Sequence, residues 1–227
     1  MSLFPDALPA PMAGADVAYT PDHVARALVE VLRPELTGRV VYEPYGGGGA
    51  FCEALGPIVD TLLVTDCDPA AAALARFPCS HTMTRAHDVS KGLPNDWGRS
   101  WPHPHWIVSN PPFSLLYGDE AGLVKGTVTP CHLRVLLDTA TEGIALLVVG
   151  QSLACGARDW LWDTAVPDEM LWIRERIAFC GPGRTGKDTD MRDYAWVIWR
   201  KRAGSWMGRG LVGRVSTDTG RVWRGAP

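Results

Sequence analysis

Apolar residues along the chain recur with two spacings, one of about 3.6 residues and one typical of short buried strands. Val24, Leu28, Val29 and Leu32 share one face of a helix predicted at 19–32. Further helices are predicted at 69–77, at 131–143, where Gly143 would end the helix, and near 157–164. Apolar or β-rich runs predict strands at 39–43, 61–66, 106–110, 144–150, 171–179 and 194–201.

Strands alternate with helices, which favours an α/β fold with a mostly parallel sheet and helices on both faces. A further short strand before Asp88 brings the predicted number of strands to seven. The last two strands are separated by a Gly-rich, charged loop with no room for a helix, so we expect an antiparallel hairpin. Thr20 is the predicted N-cap of the first helix, with Pro21 as its first residue.

Length and composition favour a single globular domain, since 227 residues with 46% hydrophobic content can build a full core. We expect a flexible arm at 1–18, the folded domain at 19–202 and a basic tail at 203–227. The arm lacks the features of a signal peptide, and no apolar run approaches the ~20 residues of a membrane helix.

The six cysteines form no Cys-x-x-Cys pair. Their spacing suits neither a disulfide framework nor a zinc site, so we expect no metal and a reducing, cytoplasmic environment. Charge is unevenly distributed, because 12 of the 22 Lys and Arg residues lie in 174–227 with only 5 of the 25 Asp and Glu residues. This basic quarter favours a polyanionic partner, and the alternative is a solvated tail.

Four consecutive glycines, Gly46 to Gly49, follow the predicted strand that ends in Glu43. Glycine lets the backbone approach a ligand closely, and ligands of open α/β sheets lie beyond the carboxyl ends of the strands. The cluster matches neither the dinucleotide fingerprint nor the P-loop. By itself it fits an ordinary turn as well as a ligand-binding loop.

Two acidic residues follow neighbouring strands at the same predicted edge. Asp66 ends the next strand, where an acid can bind both hydroxyls of a ribose. The alternative is a helix cap, for which Asp68 before Pro69 is suited. Asp88 follows the short third strand and could reach the amino group of an adenine ring.

The stretch VSNPPFS at 108–114 places a rigid corner between an amide and an aromatic ring. Its two prolines remove two backbone donors, fix two φ angles and push Asn110 into an extended conformation. A simple turn needs none of these properties. A pocket that binds a planar amine would use all of them.

Taken in this order, these motifs resemble those of class I S-adenosylmethionine (SAM)-dependent amino-methyltransferases. The resemblance is closest to the small phage-type DNA adenine-N6 methyltransferases whose cofactor region comes first. The segment from Glu43 to Phe51 is similar to that family's acidic-Pro-x-x-Gly-x-Gly-x-Phe loop, and Asn110 to Phe113 resemble its Asp/Asn-Pro-Pro-Tyr/Phe motif. The resemblance covers roughly residues 19–201 and implies a Rossmann-like fold and methyl transfer from SAM to adenine N6 in DNA.

The same resemblance implies a set of site residues. Tyr19 to Pro21 would close over the methionine end of SAM, Asp66 would bind its ribose and Asp88 its adenine. The catalytic residues would be Asn110, Pro111, Pro112 and Phe113. The implied SAM-binding residues are Tyr19, Thr20, Pro21, Glu43, Pro44, Tyr45, Gly46, Gly48, Phe51, Asp66, Cys67, Asp88, Val89 and Asn110.

In the implied mechanism, the Asn110 side-chain oxygen and the Pro111 carbonyl accept the two hydrogens of the target amine, and Phe113 stacks on the base. Preorganised acceptors draw the nitrogen toward tetrahedral geometry, and positioning supplies much of the acceleration. The amine attacks the sulfonium methyl directly, without a metal or a covalent intermediate. A base inside a duplex would first have to be flipped out.

Residues for binding the target are less well defined. Phe179 could form a second stacking wall, or it could be a core residue of a strand. Arg184, Lys187 and Arg192 are candidates for contacts with phosphates. These three residues lie in the loop at 180–192, and the loop at 114–130 is a second candidate for target recognition.

Several substrates remain open. The partner could be DNA or RNA, and glutamine methylation of a release factor also uses Asn-Pro-Pro. Cytosine N4 methylation more often goes with Ser in place of Asn110. The alternative from another class is an inactive methyltransferase fold that acts as a nucleic-acid-binding module.

Overall fold

The structure, a computed structural model, describes residues 18–74, 82–91, 99, 101–113, 116–117, 131–154, 159–181, 184–187, 189 and 191–224. The described helices are α1 (Asp22–Val31), α2 (Arg33–Leu36), α3 (Ala50–Leu55), α4 (Pro69–Leu74), α5 (His132–Thr139) and α6 (Asp159–Thr164). The described strands are β1 (Val40–Glu43), β2 (Thr61–Asp66), β3 (Thr82–Ala86), β4 (Trp106–Ser109), β5 (Gly143–Val149), β6 (Glu169–Ile173), β7 (Cys180–Gly181), β8 (Arg184–Thr185), β9 (Tyr194–Arg200), β10 (Leu211–Val215) and β11 (Val222–Arg224).

One large sheet organises the fold, with the strand order β3-β2-β1-β4-β5-β9-β6-β10-β11. Neighbours pair in parallel except β9, which is antiparallel to β5 and β6, and β11, which is antiparallel to β10. The predicted α/β class with a mostly parallel sheet and an antiparallel late strand is therefore confirmed. The parallel strands place their carboxyl ends at one edge, which we call the carboxyl edge.

Hydrophobic cores lie on both faces of the sheet. Alternate residues of a strand point to opposite faces. On β1, Val41 therefore joins a core built with α1 and α3, whereas Tyr42 joins a second core built with α5 and α6. The prediction of helices on both faces is confirmed.

The sheet has nine strands rather than the predicted seven, because part of the segment predicted as a basic tail adds β10 and β11. Val212 is exposed and Val222 only partly buried, so the short apolar runs gave a weak strand pattern. Arg209, just before β10, and Arg224, within β11, have buried acidic partners, as described below. The boundary predicted at residue 202 stays a prediction.

Several element ends differ from the predictions. Helix α1 begins at Asp22 with Pro21 as its N-cap residue, and the predicted capping by Thr20 is wrong, since no side chain caps this helix. Helix α5 ends at Thr139, and Gly143 starts β5 instead of ending the helix. A side chain at Gly143 would place Cβ 2.4 Å from the Trp106 ring, so this glycine is required by close contact. Strand β6 covers Glu169–Ile173 instead of 171–179.

No helix within the described ranges is long and apolar enough to cross a membrane.

A buried ionic cluster joins the last strands to the body of the protein at the edge opposite the carboxyl edge. The Asp168 side chain is fully buried and accepts hydrogen bonds from Arg200 (2.8 Å), Arg202 (3.1 Å) and Arg209 (3.1 Å). Arg224 of β11 pairs with the buried Glu169. These arginines therefore neutralise buried carboxylates, which explains why a basic segment can add strands to the sheet.

The environment of Asp168 makes its ionised form favourable. Burial alone would raise the pKa of this carboxyl, but hydrogen bonds from Arg209, Arg200 and Arg202 outweigh burial and lower the pKa to about 2. Removing one member of a buried ion pair leaves the remaining charges unpaired, which is strongly destabilising.

We predict that Asp168→Asn lowers the free energy of unfolding by about 3 kcal/mol at pH 7. The folded pKa of about 2 lies below the unfolded value of about 3.9, so this contribution is present above that range and disappears as the pH falls through the folded pKa. Denaturant unfolding at several pH values measures the difference from the wild type. It should shrink between about pH 4 and pH 2. The exposed Asp163→Asn is the control, and equal losses for the two variants would contradict the prediction.

Candidate functional site

A cleft opens at the carboxyl edge, where the loops after β1 and β4 meet the segment before α1. This position agrees with the rule that ligands of open α/β sheets bind beyond the carboxyl ends of the strands. The cleft is lined by Ala18, Tyr19, Thr20, Glu43, Tyr45, Gly46, Gly47, Gly48, Gly49, Ala50, Phe51 and Asn110. Eight of the residues predicted for the cofactor site therefore line one cleft.

The glycine loop, residues 46–49, forms the floor of the cleft. Gly49 has φ 88° and is the N-cap residue of α3, a conformation that favours glycine. The Tyr19 ring lies against the loop, and a Cβ added at Gly47 or Gly48 would be 3.2 Å from it. The loop can hold neither side chain unless Tyr19 moves, so glycine is required by close approach.

Asp66, at the end of β2, is joined to the glycine loop. Its carboxylate accepts hydrogen bonds from the Gly47 amide (2.8 Å) and the Asp68 amide (2.8 Å). Burial raises the pKa of Asp66, and these two amide hydrogen bonds oppose that increase. Asp68 in turn accepts a hydrogen bond from the Ala70 amide at the start of α4. Asp68 is therefore the residue that caps α4, and Asp66 remains at the margin of the cleft.

Glu43 connects the ends of β1 and β4. Its side chain is buried and accepts hydrogen bonds from the Tyr45 amide (2.9 Å) and the Ser109 hydroxyl. Burial raises the pKa of Glu43 well above its usual range, although both hydrogen bonds lower it. Because Ser109 precedes Asn110, this carboxyl group links the glycine loop to the Asn-Pro-Pro-Phe corner.

Asn110 presents its side-chain oxygen as an acceptor. The Nδ2 group donates to the Ala18 carbonyl at 2.8 Å, and only the nitrogen of the amide can donate there. Oδ1 is buried and has no hydrogen-bond partner among the residues that the structure describes. A buried acceptor without a partner is costly, and such groups are common where a ligand supplies the missing contact.

Thr20 repeats this pattern on the other side of the cleft. Its Oγ1 is buried, none of the described residues hydrogen-bonds to it, and Thr20 lines the cleft. The hydroxyl that sequence analysis placed at a helix N-cap is thus available to a ligand instead.

The segment 18–20 is held in place from a distant part of the chain. Tyr19 and Cys180 exchange two backbone hydrogen bonds of 2.9 Å each, as an antiparallel bridge. The Tyr19 ring also covers Gly181, where an added Cβ would lie 3.1 Å away. Sequence analysis missed Ala18, Cys180 and Gly181, because backbone contacts between distant segments leave no pattern in side-chain types.

An aromatic cluster lies beside the Asn-Pro-Pro-Phe corner and includes its Phe113. The half-buried Phe113 ring is 5.6 Å from Tyr194, which is 5.0 Å from Phe179. Phe179 is only 2% exposed and belongs to the hydrophobic core. The structure therefore places Phe179 in the core, and stacking on a target base would require it to move.

The other predicted residues lie outside the cleft lining. Asp88 is partly exposed and lies 3.9 Å from Lys91, while its neighbour Val89 is buried in the second core. Lys187 and Arg192 are exposed, and the Arg184 side chain lies outside the described parts of the structure. Cys67 is exposed, Pro111 is buried and Pro112 is partly buried. The roles predicted for these residues stay predictions, as do those of Pro21 and Pro44.

Several proteins of known structure are similar to this chain in fold. No family model matches the sequence, and no curated protein matches it significantly. A type I restriction-modification methyltransferase subunit from Streptococcus thermophilus has a TM-score of 0.61 at 15% identity, over 88% of this chain and 47% of that chain. A proposed RNA methyltransferase from Pyrococcus horikoshii has a TM-score of 0.60 at 14% identity, over 83% and 89%. An N-methyltransferase from Bradyrhizobium japonicum has a TM-score of 0.52 at 14% identity, over 78% and 93%.

These similarities show the fold. The chain has the Rossmann-like α/β architecture of these methyltransferases and spans about half the length of the type I subunit that it matches. The sheet order β3-β2-β1-β4-β5-β9-β6 accounts for the predicted seven strands, and β10 and β11 extend it.

We predict that Asp66→Ala loosens the glycine loop. Without the carboxylate, the Gly47 amide loses its acceptor and should exchange with solvent about tenfold faster, as expected for the loss of one hydrogen bond. Hydrogen exchange followed by nuclear magnetic resonance measures this rate in the ligand-free protein. Asp60→Ala, an exposed change just before the start of β2, is the control. An unchanged rate at Gly47 in Asp66→Ala would contradict the proposed contact.

Proposed function

We propose that this protein is a SAM-dependent methyltransferase that transfers a methyl group to the exocyclic N6 amine of adenine in DNA. The observation that carries the proposal is the Asn110 side-chain oxygen, which is buried, has no hydrogen-bond partner in the described part of the chain and belongs to a residue that lines the cleft. An amine donor of a flipped base would supply the missing hydrogen bond.

The cleft residues fit SAM. The Tyr19 ring lies against Gly47 and Gly48 and would cover a ligand bound at the glycine loop. The Thr20 hydroxyl, which has no partner among the described residues, can donate to a carboxylate such as that of the methionine moiety. Asp66 could exchange its hydrogen bond with the Gly47 amide for hydrogen bonds from ribose hydroxyls. The buried Glu43 would hold the start of the glycine loop in place around the ligand, through its hydrogen bonds from the Tyr45 amide and the Ser109 hydroxyl. When bound, SAM would supply an electrophilic methyl group.

The catalytic corner would act by positioning the amine. The exocyclic nitrogen of adenine is a poor nucleophile, because its lone pair is delocalised into the ring. Asn110 Oδ1 and the Pro111 carbonyl would accept its two hydrogens and favour a tetrahedral nitrogen. The Ala18 carbonyl fixes the orientation of the Asn110 amide, and the prolines fix the backbone, so both acceptors are in place before the substrate binds.

The amine nitrogen would attack the methyl carbon, the carbon–sulfur bond would break, and the sulfur would retain the bonding electrons. Asn110 cannot act as a strong base, so the proton of the methylated nitrogen leaves to water after transfer. Phe113 is half-buried beside the corner and would stack on the base.

A nucleic-acid substrate is supported by the likeness in fold to the type I restriction-modification subunit and by the basic character of residues 174–227. Arg200, Arg209 and Arg224 are already paired with buried acids, which leaves fewer basic side chains for phosphates than the sequence count indicates. The similarity to a proposed RNA methyltransferase over 89% of that chain favours RNA as the second candidate substrate.

Mass spectrometry of nucleosides tests the proposal directly. The protein would be incubated with SAM and either DNA or RNA, and the nucleic acids would then be digested to nucleosides. N6-methyladenine in DNA alone is the expected result. A methylated base found in RNA alone would mean that the substrate is RNA rather than DNA. Finding no modified base in either nucleic acid would contradict the proposal that the protein methylates nucleic acids.

We predict that Asn110→Ala lowers the rate of methyl transfer by about 10²–10³-fold, since one preorganised acceptor is lost. SAM affinity, measured by calorimetry, should change by less than about tenfold, since that figure corresponds to about one hydrogen bond. Thr20→Val should show the reverse, with weaker SAM binding and a smaller effect on the rate at saturating SAM. A nucleic-acid-binding module without turnover would bind nucleic acid equally well as Asn110→Ala and would show no methyl transfer in the wild type.

A further inference from the structure

One polar contact near the cleft involves neither the Asn-Pro-Pro-Phe corner nor the glycine loop. The Tyr45 hydroxyl lies 2.8 Å from Nδ1 of His132, the first residue of α5. The two rings are stacked with a centroid distance of 5.8 Å and an interplanar angle of 2°. His132 is 3% exposed, so this is a buried polar contact.

Tyr45 and His132 each lie in a segment that contacts another part of the site. Tyr45 lies between Glu43 and the glycines, lines the cleft, and anchors its amide on Glu43 at 2.9 Å. His132 lies in α5, which packs against the short helical turn Val89–Lys91. That turn follows Asp88 directly, and the Asp88 carboxylate is close enough to raise the pKa of both Tyr45 and His132, although burial affects each of them more. The pair therefore bridges the glycine loop and the Asp88 turn.

The start of α5 also contacts the segment that follows the catalytic corner. The Leu133 amide donates to the Leu116 carbonyl at 2.9 Å, and the Cys131 thiol lies 3.6 Å from the same oxygen. Leu116 is fully buried and comes three residues after Phe113. One helix end thus holds the glycine loop, the Asp88 turn and the chain beyond Asn-Pro-Pro-Phe.

We infer that His132 is a positioning residue for the adenosine end of the cofactor, acting through its hydrogen bond to Tyr45. The inference rests on the proposed function for the identity of the cofactor. Without this bond, the Tyr45 ring and the glycine loop lose their anchor on α5, and the surface that faces the nucleoside is no longer preorganised.

The protonation states in the ligand-free protein support this arrangement. Burial lowers the pKa of His132 and raises the pKa of Tyr45 well above its usual range, so both side chains are neutral near pH 7. A neutral phenol can donate to an unprotonated Nδ1, which leaves the imidazole proton on Nε2. Nitrogen chemical shifts of His132 should therefore show the tautomer protonated at Nε2.

A double-mutant cycle tests the inference. Tyr45→Phe removes the hydroxyl, and His132→Leu removes the ring nitrogen. His132→Asn keeps a polar atom near the position of Nδ1. Thr139→Val is the matched control, because it removes a buried hydroxyl hydrogen bond on the same helix, from Thr139 to the Val135 carbonyl. The measured quantities are stability of the ligand-free protein and affinities for SAM and for 5′-methylthioadenosine.

We expect Tyr45→Phe and His132→Leu each to weaken binding of SAM and of 5′-methylthioadenosine about three- to tenfold, as for the loss of one buried hydrogen bond. The double variant should bind no more weakly than either single variant, and His132→Asn should recover most of the affinity. Thr139→Val should leave both affinities unchanged. The ligand-free stability cycle should also be non-additive, and it needs no cofactor.

Two failures can be told apart. If the wild type binds SAM while Tyr45→Phe and His132→Leu bind it equally well, His132 has a structural role alone and the inference is overturned. Additive losses in the cycle, or His132→Asn as weak as His132→Leu, would overturn it too. If the wild type binds neither SAM nor 5′-methylthioadenosine, the proposed function fails, and the inference about the cofactor fails with it.

Discussion

The buried carboxyl group of Glu43 is the contact on which the arrangement of the site depends. It lies at the end of β1 and accepts hydrogen bonds from the Tyr45 amide and the Ser109 hydroxyl. The ends of β1 and β4, from which the two loops start, are therefore joined. Because parallel strands bring successive loops to one edge, a single polar group can align the glycine loop with the Asn-Pro-Pro-Phe corner. A buried ionisable group of this kind is retained only when its hydrogen bonds are satisfied.

Stability and the site are separated across the sheet. The ionic cluster around Asp168 and Glu169 lies at the edge opposite the cleft, where Arg200, Arg202, Arg209 and Arg224 converge. The cleft itself contains buried polar atoms without partners in Thr20 and Asn110. Groups that reduce the stability of the ligand-free protein thus lie at one edge, and groups that join the last strands to the sheet lie at the other.

Much of the fold can be predicted from the sequence, because the spacing of apolar residues and the residue types in each segment indicate which side chains are buried. The strands around Val41, Leu63 and Ile107 are short and apolar, and they lie where the pattern predicts them. The strands β10 and β11 escaped prediction, since the basic segment that contains them was interpreted as a tail for a polyanionic partner. Arg209, before β10, and Arg224, in β11, instead have buried acidic partners. Pairing between distant charges cannot be read from local pattern.

The site was predictable to a similar extent. The glycine loop and Asn110 could be recognised from their residue types and their order along the chain, and they line one cleft. Thr20 was predicted both as a helix cap, from its position before Pro21, and as a SAM-binding residue. Its side chain caps no helix, and the residue lines the cleft next to the bridge between Tyr19 and Cys180. His132 was missed because a lone histidine at a helix start carries no signal until its partner Tyr45 is known.

The hydrogen bond from Asn110 to the Ala18 carbonyl has a consequence for how short a working version of this protein can be. A chain shortened to begin at Pro21 would keep the glycines, both acids and the whole Asn-Pro-Pro-Phe motif. It would lose the carbonyl that selects one of two orientations of the Asn110 amide, and the ring that covers the glycine loop. The shortest chain that contains every side-chain motif is therefore shorter than the shortest chain that keeps the geometry of the cleft.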